Sequence, residues 1–97
     1  MAQQLRMIIS GRVQHVGFRQ FVSRYANAMA LSGWVRNLYN GDVEVFVQGN
    51  EDTLSRFIDV CKKGPLFSKV TDVQFLQPDA EALSLFQDGA FLVLSSK

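Results

Sequence analysis

The chain has 97 residues, 47% hydrophobic and 20% charged, with eight Phe, two Tyr and one Trp; this is the composition of one globular domain with a buried core and excludes disorder as the main state. A net charge of +1 argues against a strongly basic nucleic-acid binder. No apolar run approaches the about 20 residues of a membrane span and the opening Met1-Ala2-Gln3-Gln4-Leu5-Arg6 lacks a secretory signature, so no membrane partner and a cytoplasmic address are expected; one Cys61 and one His15 leave no intrachain disulfide and no Cys/His zinc site to build.

Leu5 to Ser10 reads as a strand buried on both faces, with Met7 and Ile9 on one side, Ile8 on the other and Gly11 at its end. After an irregular Arg12-Val13-Gln14-His15-Val16-Gly17, the apolar residues Phe18, Phe21, Val22, Tyr25, Ala26, Met29 and Ala30 recur at spacings of three and four. That spacing predicts an amphipathic helix over 18–30, closed off by Gly33. Trp34 to Leu38 is extended, and Tyr39-Asn40-Gly41-Asp42 holds Asn-Gly, a hairpin signal in which both turn residues take positive φ. Val43, Val45 and Val47 then alternate with Glu44, Phe46 and Gln48.

A second helix begins with Asn50 as N-cap and Glu51 and Asp52 in its first turn, carries Leu54, Phe57, Ile58 and Cys61 on its core face, and ends at Lys62-Lys63-Gly64-Pro65. Val70, Val73 and Phe75 fall in a fourth strand, Pro78 to Asp88 is a polar segment whose state is open, and Phe91 to Leu94 makes a short fifth strand. The order β-α-β-β-α-β with a short C-terminal strand predicts an α+β, ferredoxin-like sandwich: an antiparallel sheet with two helices on one face.

The charge is unevenly distributed. Residues 1–41 hold Arg6, Arg12, Arg19, Arg24 and Arg36 and no acid, a charge of +5, while residues 42–97 carry −4. Either the first part attracts an anion, or its arginines pair with carboxylates from the second. The segment from Arg12 to Phe18 lies between a strand and a helix start, where free backbone N–H groups and the helix dipole favour an anion. Arg19 in the first helical turn opposes that dipole, a conflict that a phosphate or carboxylate held between its planar fork and the amides would resolve. The other reading is an ordinary long connection with Arg19 paired to a distant acid. Asn37 shares a strand face with Val35; it either reaches toward a ligand in this loop or sets the hairpin turn.

No Gly-x-Ser-x-Gly, phosphate-binding Gly-Lys-Ser/Thr or Gly-x-Gly-x-x-Gly pattern occurs, which argues against a nucleophilic triad or a nucleotide site. A site without base or metal must work by positioning water and stabilising phosphate charge, which suits a leaving group that needs no proton. Cys61, Trp34 and the Phe18–Phe21 pair read as core.

The run Ile9-Ser10-Gly11-Arg12-Val13-Gln14-His15-Val16-Gly17-Phe18-Arg19 resembles the phosphate-loop signature of the acylphosphatase family, with His15 where the family usually has Gly. A second signature is matched by Gly33-Trp34-Val35-Arg36-Asn37, Gly41-Asp42-Val43 and Gly49. The resemblance implies that residues 1–97 form a single acylphosphatase-like domain, expected as a monomer, that hydrolyses small acyl phosphates to a carboxylate and inorganic phosphate with no metal and no cofactor. By position, Arg19 and the backbone amides of His15, Val16, Gly17 and Phe18 would bind the phosphoryl oxygens, and Asn37 would hold the attacking water. If His15 sits at positive φ, its side chain carries a steric cost that Gly does not, and a protonated imidazole there would favour phosphate.

Two further readings compete. One is a non-catalytic anion-binding or accessory domain, as at the amino end of larger hydrogenase-maturation carbamoyl transferases. The other is an RNA-recognition module, disfavoured because Val43-Glu44-Val45-Phe46-Val47 offers one aromatic and an acid in place of a stacking platform.

Overall fold

The computed structural model describes residues 2–97. In chain order the elements are β1 (Gln3–Arg12), α1 (Phe18–Ala28), β2 (Ser32–Asn37), β3 (Val43–Gly49), α2 (Glu51–Lys63), β4 (Lys69–Leu76), α3 (Ala80–Leu85) and β5 (Phe91–Val93). The sheet order is β4-β1-β3-β2-β5. The first four strands pair antiparallel, as the element order predicts. β5 instead runs parallel to β2, Gly33 facing Phe91 and Val35 facing Val93. Among the described residues, no helix is long and apolar enough to cross a membrane.

Period-two alternation explains the two faces of the sheet. Met7, Ile9, Val35, Val43, Val45 and Val47 form one core with Phe18, Val22 and Ala26 of α1 and Leu54, Phe57 and Cys61 of α2. Burial of Cys61 pushes its thiol up to about 12. Asn50 caps α2 as expected, its Oδ1 accepting from the Thr53 N–H at 2.8 Å.

The opposite face carries Trp34 and Phe46, and the polar segment after Pro78 covers them. Asp79 caps α3 by accepting from the Ala82 N–H at 2.8 Å, and Ala82 packs on Trp34 and Phe46 with Leu85 and Phe86 alongside. Burying each such aromatic is worth roughly 2–3 kcal/mol, enough to order a helix too short to stand alone. The indole N–H of Trp34 is satisfied by the Ala82 carbonyl at 3.1 Å. Glu44, on the same face, is 2% exposed. Its two oxygens accept from Arg6 Nε and Arg36 Nε at 2.7 Å each, and the Arg36 guanidinium lies 4.7 Å from the Trp34 ring centroid. Burial works against the Arg36 charge, yet hydrogen bonds to Glu44 and Glu81 outweigh it and raise its pKa.

Expected boundaries change: β1 starts at Gln3 rather than Leu5, β2 spans Ser32–Asn37 rather than Trp34 to Leu38 and β5 ends at Val93 rather than Leu94, and three further differences have a structural cause. β1 does not stop at Gly11 but continues to Arg12 through an irregularity: Ser10 faces Asp72, Gly11 faces Val70, and Thr71 is left over on β4. A Cβ on Gly11 would stand 2.0 Å from the Lys69 carbonyl oxygen, so this close approach requires Gly. α1 ends at Ala28, short of residue 30 and well before Gly33. Ala30 takes φ 56, and the N–H groups of Ala30 and Leu31 donate to the carbonyls of Asn27 and Ala26, a Schellman closure built on alanine. In the hairpin only Gly41 has positive φ, 101°. Leu38 N–H donates to Asp42 O and Gly41 N–H to Leu38 O, so the connection is a three-residue loop with Gly at the left-handed position rather than a two-residue Asn-Gly turn.

Candidate active site

Hydrophobic anchors at its two ends shape the loop after β1. Val13 and Phe18 are 1% and 2% exposed, and the residues between them bridge the end of β1, an internal strand of the sheet, and the start of α1. His15 takes φ 64 and Gly17, the N-cap of α1, takes φ 76. The condition of positive φ raised for His15 is therefore met, and its side chain is exposed. No side chain caps α1 and no acid occupies its first turn. The first N–H of this segment to find a protein acceptor is that of Phe21, on Gly17 O at 3.0 Å. The backbone N–H groups of residues 15–20 have no acceptor among the described residues, so unpaired donors line one concave turn at the positive end of a helix.

A cavity of about 300 Å³ opens on this turn, lined by Gln14, His15, Gly17, Arg19, Asn37 and Ser96 among others. Val16, whose amide belongs to the predicted set, lies in the loop without lining the cavity. Both predicted side chains reach the space. Arg19 Nη1 donates to the Leu94 carbonyl at 3.1 Å, leaving the rest of its fork uncommitted. Among the described residues it has no carboxylate partner; the pairing with acids from the second half applies to Arg6 and Arg36 instead.

Asn37 follows Val35 onto the helix-covered face, as the alternation predicts. Its Oδ1 is buried and has no hydrogen-bond partner among the described residues. A buried amide oxygen without a donor costs about 1–3 kcal/mol, and native structures carry few of them. The turn-setting role weighed for this residue belongs to Asn40, whose Oδ1 accepts from the Asp42 N–H at 3.0 Å.

Two contributions were not singled out from sequence. The tail beyond β5 runs past β2, with Lys97 N–H donating to Asn37 O at 2.9 Å and Tyr39 N–H to Lys97 O at 2.7 Å. It places Leu94 O on Arg19 and Ser96 at the cavity. Gln14 donates from Nε2 to the carbonyls of Leu38 at 2.6 Å and Asp42 at 2.8 Å. No spacing rule marks a glutamine for such contacts.

The family model for acylphosphatase matches residues 5–87. The chain belongs to the acylphosphatase family. It is 43% identical over 94 residues to an acylphosphatase of Rhodopseudomonas palustris, covering 94% of this chain and 93% of that relative. The crystal structure of acylphosphatase from Bacillus subtilis matches with a TM-score of 0.82 at 39% identity, over 97% of this chain and 99% of that one. Full-length HypF in its phosphate- and nucleotide-bound form matches with a TM-score of 0.77 at 31% identity, over 99% of this chain but 12% of that one. Small acylphosphatases are thus matched over nearly their whole length, the large protein over a minor part, and the accessory-domain reading is not favoured. As an acylphosphatase the protein hydrolyses acyl phosphates to a carboxylate and inorganic phosphate. The RNA-recognition reading meets a sheet face on which Trp34 and Phe46 are each 0% exposed beneath α3.

Proposed function

We propose that the phosphoryl group of a small acyl phosphate sits in the loop of residues 14–19, its oxygens held by Arg19 and the backbone amides of His15, Val16, Gly17 and Phe18, while Asn37 orients the attacking water. The observation that carries this reading is Asn37, whose buried Oδ1 has no donor among the described residues, lining the same cavity as a loop of unpaired amides and Arg19, a guanidinium with uncommitted N–H groups. Asn37 Oδ1 accepts a hydrogen bond from one O–H of the water, which keeps that hydrogen, and so aims the oxygen lone pair at phosphorus. The new P–O bond forms as the acyl P–O bond breaks, and the electron pair leaves on the carboxylate. A carboxylate is a stable anion and needs no proton on departure, so no general acid is required. The second water proton passes to a phosphoryl oxygen, which fits a cavity lined by no Asp or Glu among the described residues. Negative charge developing on the phosphoryl oxygens meets fixed donors, the arrangement that stabilises such transition states without reorganisation.

In the same reading, residues 1–97 act as one monomeric domain in the cytoplasm on a free small molecule, with neither metal nor cofactor. The test is hydrolysis of benzoyl phosphate in ¹⁸O-labelled water, with Arg19→Ala beside the wild type. Label in phosphate, with a rate about 10²- to 10³-fold lower in the variant, is expected. Label in benzoate would mean attack at the carbonyl and would reject the assignment.

A further inference from the structure

Resting on the water-holding role of Asn37, we infer that Gln14 is a positioning residue that sets where Asn37 stands relative to the phosphate loop. The groups that hold phosphate and the group that holds water belong to different elements: the first to the loop and the start of α1, the second to the end of β2. Attack needs the water oxygen within about 3–3.5 Å of phosphorus and in line, and a misplacement of 1 Å can cost about 10²-fold in rate. Something must fix the two elements against each other.

Gln14 does so directly. Both N–H bonds of its amide are used, one on Leu38 O at 2.6 Å and one on Asp42 O at 2.8 Å, the two ends of the loop that immediately follows Asn37. Among the described residues these are the only direct hydrogen bonds between residues 13–19 and the β2–β3 hairpin.

The hairpin itself does not depend on them. Leu38 N–H to Asp42 O at 2.8 Å, Gly41 N–H to Leu38 O at 3.1 Å and Asp42 N–H to Asn40 Oδ1 at 3.0 Å already close it. Each carbonyl that Gln14 reaches keeps a second donor when Gln14 is replaced, so neither becomes an orphan. What the two bonds add is the spacing between loop and hairpin, and hence between phosphorus and water. Removing them should lower turnover more than phosphate affinity, because the amides of His15, Val16, Gly17 and Phe18 and the fork of Arg19 make no hydrogen bond to the hairpin among the described residues.

The test compares Gln14→Met, of similar length but without donors, and Gln14→Glu, which sets carboxylate oxygens against the two carbonyls, each alone and with Asn37→Ala. The readouts are kcat for benzoyl phosphate and competitive inhibition by inorganic phosphate, with folding followed by Trp34 fluorescence. In the wild-type background kcat should fall about 10- to 100-fold, with the phosphate inhibition constant changed by less than about threefold. In the Asn37→Ala background Gln14→Met should cost less than about threefold, because residues that act as a unit are not additive. Parallel losses of kcat and phosphate affinity, additive effects, unchanged kcat, or failure of both variants to fold would each overturn the positioning role. An Asn37→Ala protein with full turnover would instead overturn the water-holding role on which it rests. Inactive Asn37→Ala beside fully active Gln14→Met would overturn the Gln14 inference alone.

Discussion

Glu44 is a buried carboxylate shared by two arginines, and Glu44→Gln tests what it contributes. Each of its oxygens serves one guanidinium, Oε2 on Arg6 Nε and Oε1 on Arg36 Nε, both at 2.7 Å. A glutamine keeps the shape and one acceptor but turns an NH2 toward the other arginine, placing donor against donor. Breaking a buried pair on one side costs about 3–5 kcal/mol. The lower end applies here, because Arg36 retains Glu81 at 3.2 Å and Arg6 retains Asp79 at 3.7 Å. With an unfolding entropy of about 2 cal/mol/K per residue, a chain of 97 residues would lose about 15 °C in Tm for about 3 kcal/mol. The assay is urea and thermal unfolding followed by fluorescence of Trp34, the only tryptophan, which lies against Arg36 on the same face. A loss under about 1 kcal/mol would show that water or side-chain rearrangement replaces the carboxylate, and the assigned cost would be wrong.

Ala30 and His15 share the left-handed region at φ 56 and φ 64, but glycine should act differently at each. Ala30→Gly relieves about 1–2 kcal/mol of steric cost against about 0.4–1 kcal/mol of added unfolded-state entropy, so a rise of a few degrees in Tm is expected; a fall would contradict the Schellman closure. Histidine tolerates this region better, so His15→Gly should leave Tm nearly unchanged, and with the ring exposed, phosphate inhibition should keep the same pH dependence; a flattened dependence would show the imidazole binding phosphate. Hydrogen bonds from Lys97 and Arg36 hold the Glu81 carboxyl below its usual range, and a carboxyl depressed on folding adds stability above its unfolded pKa that is lost as pH falls through the folded one. Wild type should therefore exceed Glu81→Gln at neutral pH, with the curves converging below about pH 4; parallel curves down to pH 3 would refute the coupling. Cys61, pushed up to about 12 by burial, should react with a disulfide reagent at pH 8 only on unfolding, and comparable rates with and without urea would contradict its core position.

The parts of the site that follow from local rules were legible in the sequence. Spacing of Phe18, Val22 and Ala26 placed the start of α1, that start placed the loop and Arg19, and period two put Asn37 on the face of Val35. Features set by a distant partner were not. The shift at Gly11 depends on β4, the burial of Glu44 depends on α3, and the Arg19 contact depends on a carbonyl 75 residues further along the chain. α3, six residues long, is too short for a periodic signal. Ala30 reads as a helix former, and nothing local shows that it takes a left-handed backbone.

The central claim is that phosphate donors and a water-holding amide meet in one cavity. Hydrolysis of benzoyl phosphate in metal-free, phosphate-free buffer by wild type and by folded Arg19→Ala and Asn37→Ala tests it most directly. Turnover by the wild type with a loss of about 10²-fold or more in each variant is the predicted result. Full turnover by either variant, or none by a wild type that still binds phosphate, would contradict it.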